Sequence, residues 1–359
     1  MTADRSPAPQ LQLIDVLKVV AAQCIVFHHF SAYGPLSEAA SADWPELFEW
    51  LYDKARMAVQ VFLVIAGFLA ARSLSLNRHT FGSMTAGLWQ RYLRLVFPFV
   101  VALLITMLCS AVARPFLDAE VVPTAPSVAG FLAHASLLHS VLDVESISAG
   151  VWYVAIDFQL YAALALLLWG GRGKPWLSMG LVALLSVASM GWFNTDASWD
   201  VWALYFFGAY GLGALAWWAG LRGRQGFLPV ALYAAALTAG LVSLTLEFRE
   251  RLALGIGVSA LLVSFGANQW QLPQPANRWA AHFSRTSYAL FLTHYAVLLL
   301  ANTAWAALGW TNGDAALVFI GASWVMALGT SHLFYMHVEK RIEQFRSSIR
   351  QSRGPQAAK

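Results

Sequence analysis

Two cysteines in 359 residues, Cys24 and Cys109, both inside apolar runs, leave no disulfide framework and no thiolate metal site. Charge is scarce too, with Asp, Glu, Lys and Arg making up 12% of the chain. The sequence has no phosphate-binding glycine loop, no GxSxG elbow and no Rossmann glycine signature following a strand. His134 and His139 are not at i,i+4 spacing and no carboxylate joins them in a zincin-like arrangement, so no metal is expected. The opening MTADRSPAPQ lacks a small-residue cleavage pattern before the first apolar stretch, so no cleavable signal peptide is expected. Any chemistry must therefore use side chains within apolar segments.

What is present is hydrophobic. Apolar residues make up 58% of the chain, the mean hydropathy is +0.57, and 16 Trp with 22 Phe suit two interfacial aromatic belts. The chain reads as an all-α integral membrane protein, a bundle of about ten transmembrane helices. The spans are expected at about 12–32, 56–76, 91–113, 150–169, 176–193, 199–220, 228–246, 250–267, 284–304 and 314–338, with breaks such as RGKP at 172–175 and LPQPANR at 272–278. With the N-terminus in the cytoplasm, 18 of the 23 Lys and Arg fall on the inner side. These include Arg78, Arg91, Arg94, Arg172, Lys174, Arg222, Arg224, Arg278 and the tail KRIEQFRSSIR. Only Lys54, Arg56, Arg114, Arg249 and Arg251 fall outside. The bias makes both termini cytoplasmic. It also explains a pI near 9.1 by topology and not by a nucleic-acid partner. The organisation is a cytoplasmic segment 1–11, one membrane domain 12–338 and a basic cytoplasmic tail 339–359. Two outer segments are long, 33–55 and 114–149. The second holds VAGFLAHASLLHSVL, an apolar run too short to span, expected to be interfacial or re-entrant.

The first span, LIDVLKVVAAQCIVFHHF from Leu13 to Phe30, carries Asp15, Lys18, Gln23, His28 and His29. Ionisable groups inside a span are costly and point to function. Eleven residues turn a helix to within about 20° of three full turns, so Lys18 and His29 share one stripe roughly 16 Å apart along the axis, with His28 about 80° away. Gln90 to Pro98 places Arg91 and Arg94 at i,i+3, facing the same way at the expected cytoplasmic mouth of the third span. Forked guanidinium donors there suit phosphate, and a topology anchor is the plainer alternative. Tyr153, Asp157 and Tyr161 recur every four residues in VWYVAIDFQLY. The depth of Asp157 is compatible with orienting His29, though pairing with another helix or with Arg56 competes. His294, near the middle of the ninth span, suits a cavity-lining or a structural histidine. Lys18, His29 and Asp157 would equally serve a proton-coupled secondary transporter.

Five of these stretches, in order, resemble the membrane acyltransferase-3 family, the nodulation-protein-X and O-antigen acetylase group. Asp15, Lys18 and His29 follow its opening Asp-Gly-Leu-Arg and histidine pattern, with Lys for the usual Arg. VQVFLVIAGFLAARSL at 59–74 is similar to "DlFFvlSGFl", retaining Gly67 and Phe68 with Ala66 for Ser. RYLRLVFP matches Arg-x-x-Arg-x-x-x-Pro. VWYVAIDFQLY resembles "WsLsvEeqfY", keeping Trp152, Gln159 and Tyr161, with Asp157 and Phe158 for the two Glu. SYALFLTH resembles "SYslYLiH" and ends at His294, with Ala296 where a proline often follows.

The resemblance implies a multi-pass protein of the bacterial inner membrane that moves an acyl group, acetyl first, from cytoplasmic acyl-CoA (acetyl-CoA) to a hydroxyl of an extracytoplasmic or lipid-linked carbohydrate. It implies that Lys18, Arg91 and Arg94 hold the coenzyme phosphates. His29 would be base or acyl carrier, Asp157 would fix its tautomer, and Tyr153, Gln159, Tyr161 and His294 would contact substrate. Its partners would be the lipid bilayer and the glycan acceptor, and a homodimer is compatible with it.

Overall fold

The computed structural model describes residues 9–74, 80–221, 226–265 and 271–345, and among these there is no strand. Thirteen α-helices are described: α1 Pro9–Ala32, α2 Pro35–Asp43, α3 Pro45–Asp53, α4 Val59–Leu74, α5 Phe81–Ala113, α6 Val128–Ala135, α7 Trp152–Gly170, α8 Pro175–Gly191, α9 Ala203–Gly220, α10 Leu228–Leu246, α11 Glu250–Phe265, α12 Gln274–Leu308 and α13 Gly313–Phe334. Ten of them occupy the ten expected spans. Eight helical segments are long and apolar enough to cross a membrane. The other two are α11, with 16 residues, and α9, whose 18 residues include Tyr205, Tyr210, Trp217, Trp218 and four Gly. The protein is a helical, multi-pass membrane protein. Arg78, His79, Arg222, Arg224 and the end of the basic tail lie outside the described residues.

Two expected boundaries were wrong. α5 starts at Phe81, ten residues before the expected 91, and runs for 33 residues. α12 starts at Gln274, ten before 284, and runs for 35. Pro275 did not stop α12 because it is the helix's second residue, where a missing N–H costs nothing. Arg91 and Arg94 accordingly lie within a long helix and not at its opening. The outer segment 33–55 is also largely helical, forming α2 and α3. The run at 128–142 forms the short α6, capped by Ser127 Oγ accepting from Gly130 N at 3.0 Å, and then turns.

The described chain resolves into two compact units, residues 1–25, 54–91 and 152–285, and residues 26–53, 92–151 and 286–359. In the first unit, α9 is buried nearly all round. Small residues let it sit against α4: a Cβ on Gly67 would overlap the Tyr210 carbonyl, and one on Gly213 the Val64 carbonyl. Such backbone approach substitutes for a hydrophobic drive between helices in lipid. Ala203 N, the first N–H of α9, finds Gln159 Oε1 at 2.9 Å, and Gly208 N further along the helix meets Ser189 Oγ of α8 at 2.8 Å.

In the second unit, buried Asn302 of α12 accepts from Leu36 N at 3.0 Å and donates to the Tyr33 carbonyl at 3.2 Å, fixing the turn into α2. Gly34 makes that turn at φ +87, where a side chain would strike Asn302. Asp43 Oδ2 then accepts from Gly313 N at 2.9 Å at the start of α13. Pro98 interrupts the α5 hydrogen-bond ladder. The Tyr288 hydroxyl donates to the Leu95 carbonyl at 3.0 Å beside that interruption.

Candidate active site

The second unit holds a histidine pair. His29 Nδ1 lies 2.6 Å from His294 Nε2, and both residues are buried. The rings are 5° from parallel. Parallel rings packed face to face would stand about 3.5 Å apart or more. Nitrogens at 2.6 Å therefore put the two rings nearly in one plane, joined edge to edge.

The network assigns the protons. His294 Nδ1 is 2.9 Å from the Leu290 carbonyl, which only accepts, so Nδ1 carries the hydrogen. A neutral imidazole has one N–H. His294 Nε2 is then the acceptor and His29 Nδ1 the donor. The remaining nitrogen of His29, Nε2, keeps its lone pair in the form a general base needs. Gly150, at φ +78, packs against the same ring: a Cβ there would come 3.4 Å from His29 Cε1 and 3.2 Å from Phe291. His28 turns instead towards Tyr52, with ring centroids 5.6 Å apart.

In the first unit, Arg91 Nη2 donates to Asp157 Oδ2 at 2.5 Å, and the guanidinium lies over the Tyr161 ring at 5.4 Å. Asp157 is buried. The carboxylate expected to orient His29 is thus bound to Arg91, and the ring that orients His29 is His294. The same pair balances the Arg91 charge inside the bundle, where an unpaired carboxylate would be costly. Lys18 Nζ donates to the Ser284 carbonyl at 2.9 Å, and Ser284 Oγ donates to Asp15 at 2.5 Å. Gln159 spends both ends of its amide on the chain entering α9, donating to the Val201 carbonyl at 3.2 Å as well as accepting from Ala203 N. It braces that helix rather than presenting a free amide. Tyr153 packs on Phe62 and Trp152. Arg94, in the second unit, is exposed.

Sequence reading named both His29 and His294 but not their pairing. The only signal available was that each closes a recognisable segment. It also missed that His134 and His139 stack, with centroids 4.2 Å apart, and are fully buried. Among the described residues no group of three or more His, Cys, Asp or Glu is placed to hold a metal ion.

A family model described as an acyltransferase domain, that of acyltransferase-3, matches residues 11–334. Neither the curated proteins nor the solved structures gave a match.

Proposed function

The chain belongs to the acyltransferase-3 family, and from that premise we propose that it is a membrane O-acyltransferase carrying an acyl group, acetyl first, from acyl-CoA to a hydroxyl of an extracytoplasmic or lipid-linked carbohydrate. The observation that carries the reading is the hydrogen bond from His29 Nδ1 to His294 Nε2, which leaves His29 Nε2 as a buried, oriented base. In the transfer, Nε2 takes the proton of the acceptor hydroxyl. The oxygen attacks the thioester carbonyl, a C–O bond forms and the C–S bond breaks. The proton passes to the leaving sulfur, giving an ester and free thiol. His294 positions the base and shares the charge that develops on it.

For the donor's phosphates, exposed Arg94 offers a guanidinium fork. Arg91, held by Asp157, serves in this reading as the internal counter-charge of that carboxylate. The excess of Lys and Arg on one side fits a bacterial inner membrane with the coenzyme on the cytoplasmic face. A proton relay through Lys18, His29 and Asp157 is disfavoured because Asp157 is ion-paired with Arg91.

The test is thioester consumption by protein in liposomes supplied with labelled acetyl-CoA and a membrane lipid extract as acceptor. His29→Ala is expected to lower turnover about 10²- to 10⁴-fold, the worth of a general base, while His28→Ala keeps it. His294→Phe should lose about tenfold or more, with part of the loss restored by His294→Gln, whose amide oxygen can accept from Nδ1. Absence of turnover by the wild type would remove the acyltransferase reading and return the chain to the transporter class.

A further inference from the structure

The second unit contains a small, partly open pocket lined by Phe99, Leu103 and Thr106 of α5, Ser148 and Ala149 of the loop before α7, and Phe291 of α12. Its volume, taken as the space open to the centre of a water-sized sphere, is about 10 Å³. That is room for about one water or one methyl group. Most of its wall is apolar. Its polar lining residues are Ser148 and Thr106, and Thr106 is 0% exposed with a hydroxyl that has no hydrogen-bond partner among the described residues. Other helical Thr residues here, Thr293 and Thr303, donate to the carbonyl four residues back at 2.8 Å. Thr106 does not, although that ordinary solution is open to a helical hydroxyl. A buried hydroxyl left unmade costs stability and calls for an explanation.

The cavity adjoins the base. Ala149 and Val151 line it, and Gly150 between them packs on His29 Cε1 and on Phe291. Cε1 is the ring carbon between Nδ1 and Nε2. One glycine without a side chain and one phenyl ring therefore lie between the pocket and Cε1 of His29, the atom next to Nε2. We propose that this cavity receives the acyl group of the donor, its floor of Phe99 and Leu103 admitting the methyl of an acetyl group and refusing longer chains, with the Thr106 hydroxyl donating to the thioester carbonyl oxygen. The proposal rests on the acyltransferase reading and adds to it the length of the acyl chain. A donor at the carbonyl oxygen is useful because negative charge grows there as the acceptor oxygen attacks. One further methylene has no space, and a hydrophobic pocket typically rejects one by about 10- to 200-fold.

The experiment gives liposome-borne protein equal mixtures of acetyl-, propionyl- and butyryl-CoA with the same lipid extract and follows each thioester. Wild type is expected to consume acetyl-CoA at least about tenfold faster than propionyl-CoA. Leu103→Ala, which opens the floor, should cut that ratio at least fivefold, while Leu104→Ala, on the exposed side of α5, should leave it unchanged. Thr106→Val keeps the shape and removes the hydroxyl. It should lower acetyl turnover about tenfold with the acetyl-to-propionyl ratio retained, and it serves if Leu103→Ala does not fold. Wild-type turnover without chain-length preference, an unmoved ratio in folded Leu103→Ala, or full activity in Thr106→Val would each overturn the proposal and leave the acyltransferase reading standing. Consumption of no thioester by the wild type would overturn both.

Discussion

His29 owes its tautomer to a ring 265 residues further along the chain, and Asp157 owes its charge balance to a guanidinium 66 residues before it. Removing one partner of the buried Arg91–Asp157 pair strands the other. Arg91→Met or Asp157→Asn should destabilise the purified protein by about 3–5 kcal/mol, read as a lowered melting temperature. The double variant should cost less than the two single changes added together, because neither charge is then unpaired. A second residue-scale prediction concerns the outer segment. Burial first, and then neighbouring His134, hold the His139 imidazole down to about 4. An unfolded histidine titrates near 6.5, so the unfolded chain binds the proton first as pH falls. The stability gained by keeping His139 neutral is whole above about pH 6.5 and is lost as pH drops towards about 4. Melting temperatures recorded across that window should fall for the wild type and fall less steeply for His139→Phe. The residue types at these positions could be read from the sequence. Their partners could not, since hydrogen bonds over such separations leave no local pattern.

At the scale of elements, the period and length of the apolar runs were enough to place ten helices, and packing then decided what each helix could tolerate. α9 is the clearest case. Its glycines look in sequence like weak points of a helix, costing roughly 1 kcal/mol each against Ala. In the bundle Gly213 is the contact itself, because a methyl group there would overlap the Val64 carbonyl. Gly213→Ala should therefore yield little folded protein by size-exclusion chromatography. Gly180→Ala on α8, where nothing lies within 4 Å of the added carbon, should be neutral or slightly stabilising. The same logic explains the mistaken starts of α5 and α12. Two Gly in Phe81–Gln90 and a Pro in the first turn of α12 look like punctuation, whereas all are compatible with a helix that continues.

For the whole molecule, hydrogen bonds and ion pairs group residues by side in the way that alternating spans require. Lys54 meets Glu250 at 2.6 Å, both assigned outside. Gln12 meets Leu272, and Lys18 and Asp15 meet Ser284, all assigned inside. The exposed Lys54–Glu250 pair adds little stability, but it is what the count of positive charges anticipates. A membrane-impermeant thiol reagent applied to intact cells should label Glu120→Cys directly and Lys174→Cys only after permeabilisation, and the reverse pattern would invert the orientation. Sequence alone determined the membrane class, the all-helical fold and the residues that carry polarity into apolar spans, because burial in lipid leaves no room for unexplained charge. The motif order also identified the family. Only the tertiary structure decided which of those residues face one another. It gave His29 a histidine rather than a carboxylate, turned Asp157 and Arg91 into a self-balancing pair, and set Gly150 and Phe291 between the base and a cavity of methyl size. The physical reason is that hydrophobic periodicity fixes which face of a helix is buried, whereas the partner of a buried polar group is set by the close packing of segments far apart in the chain.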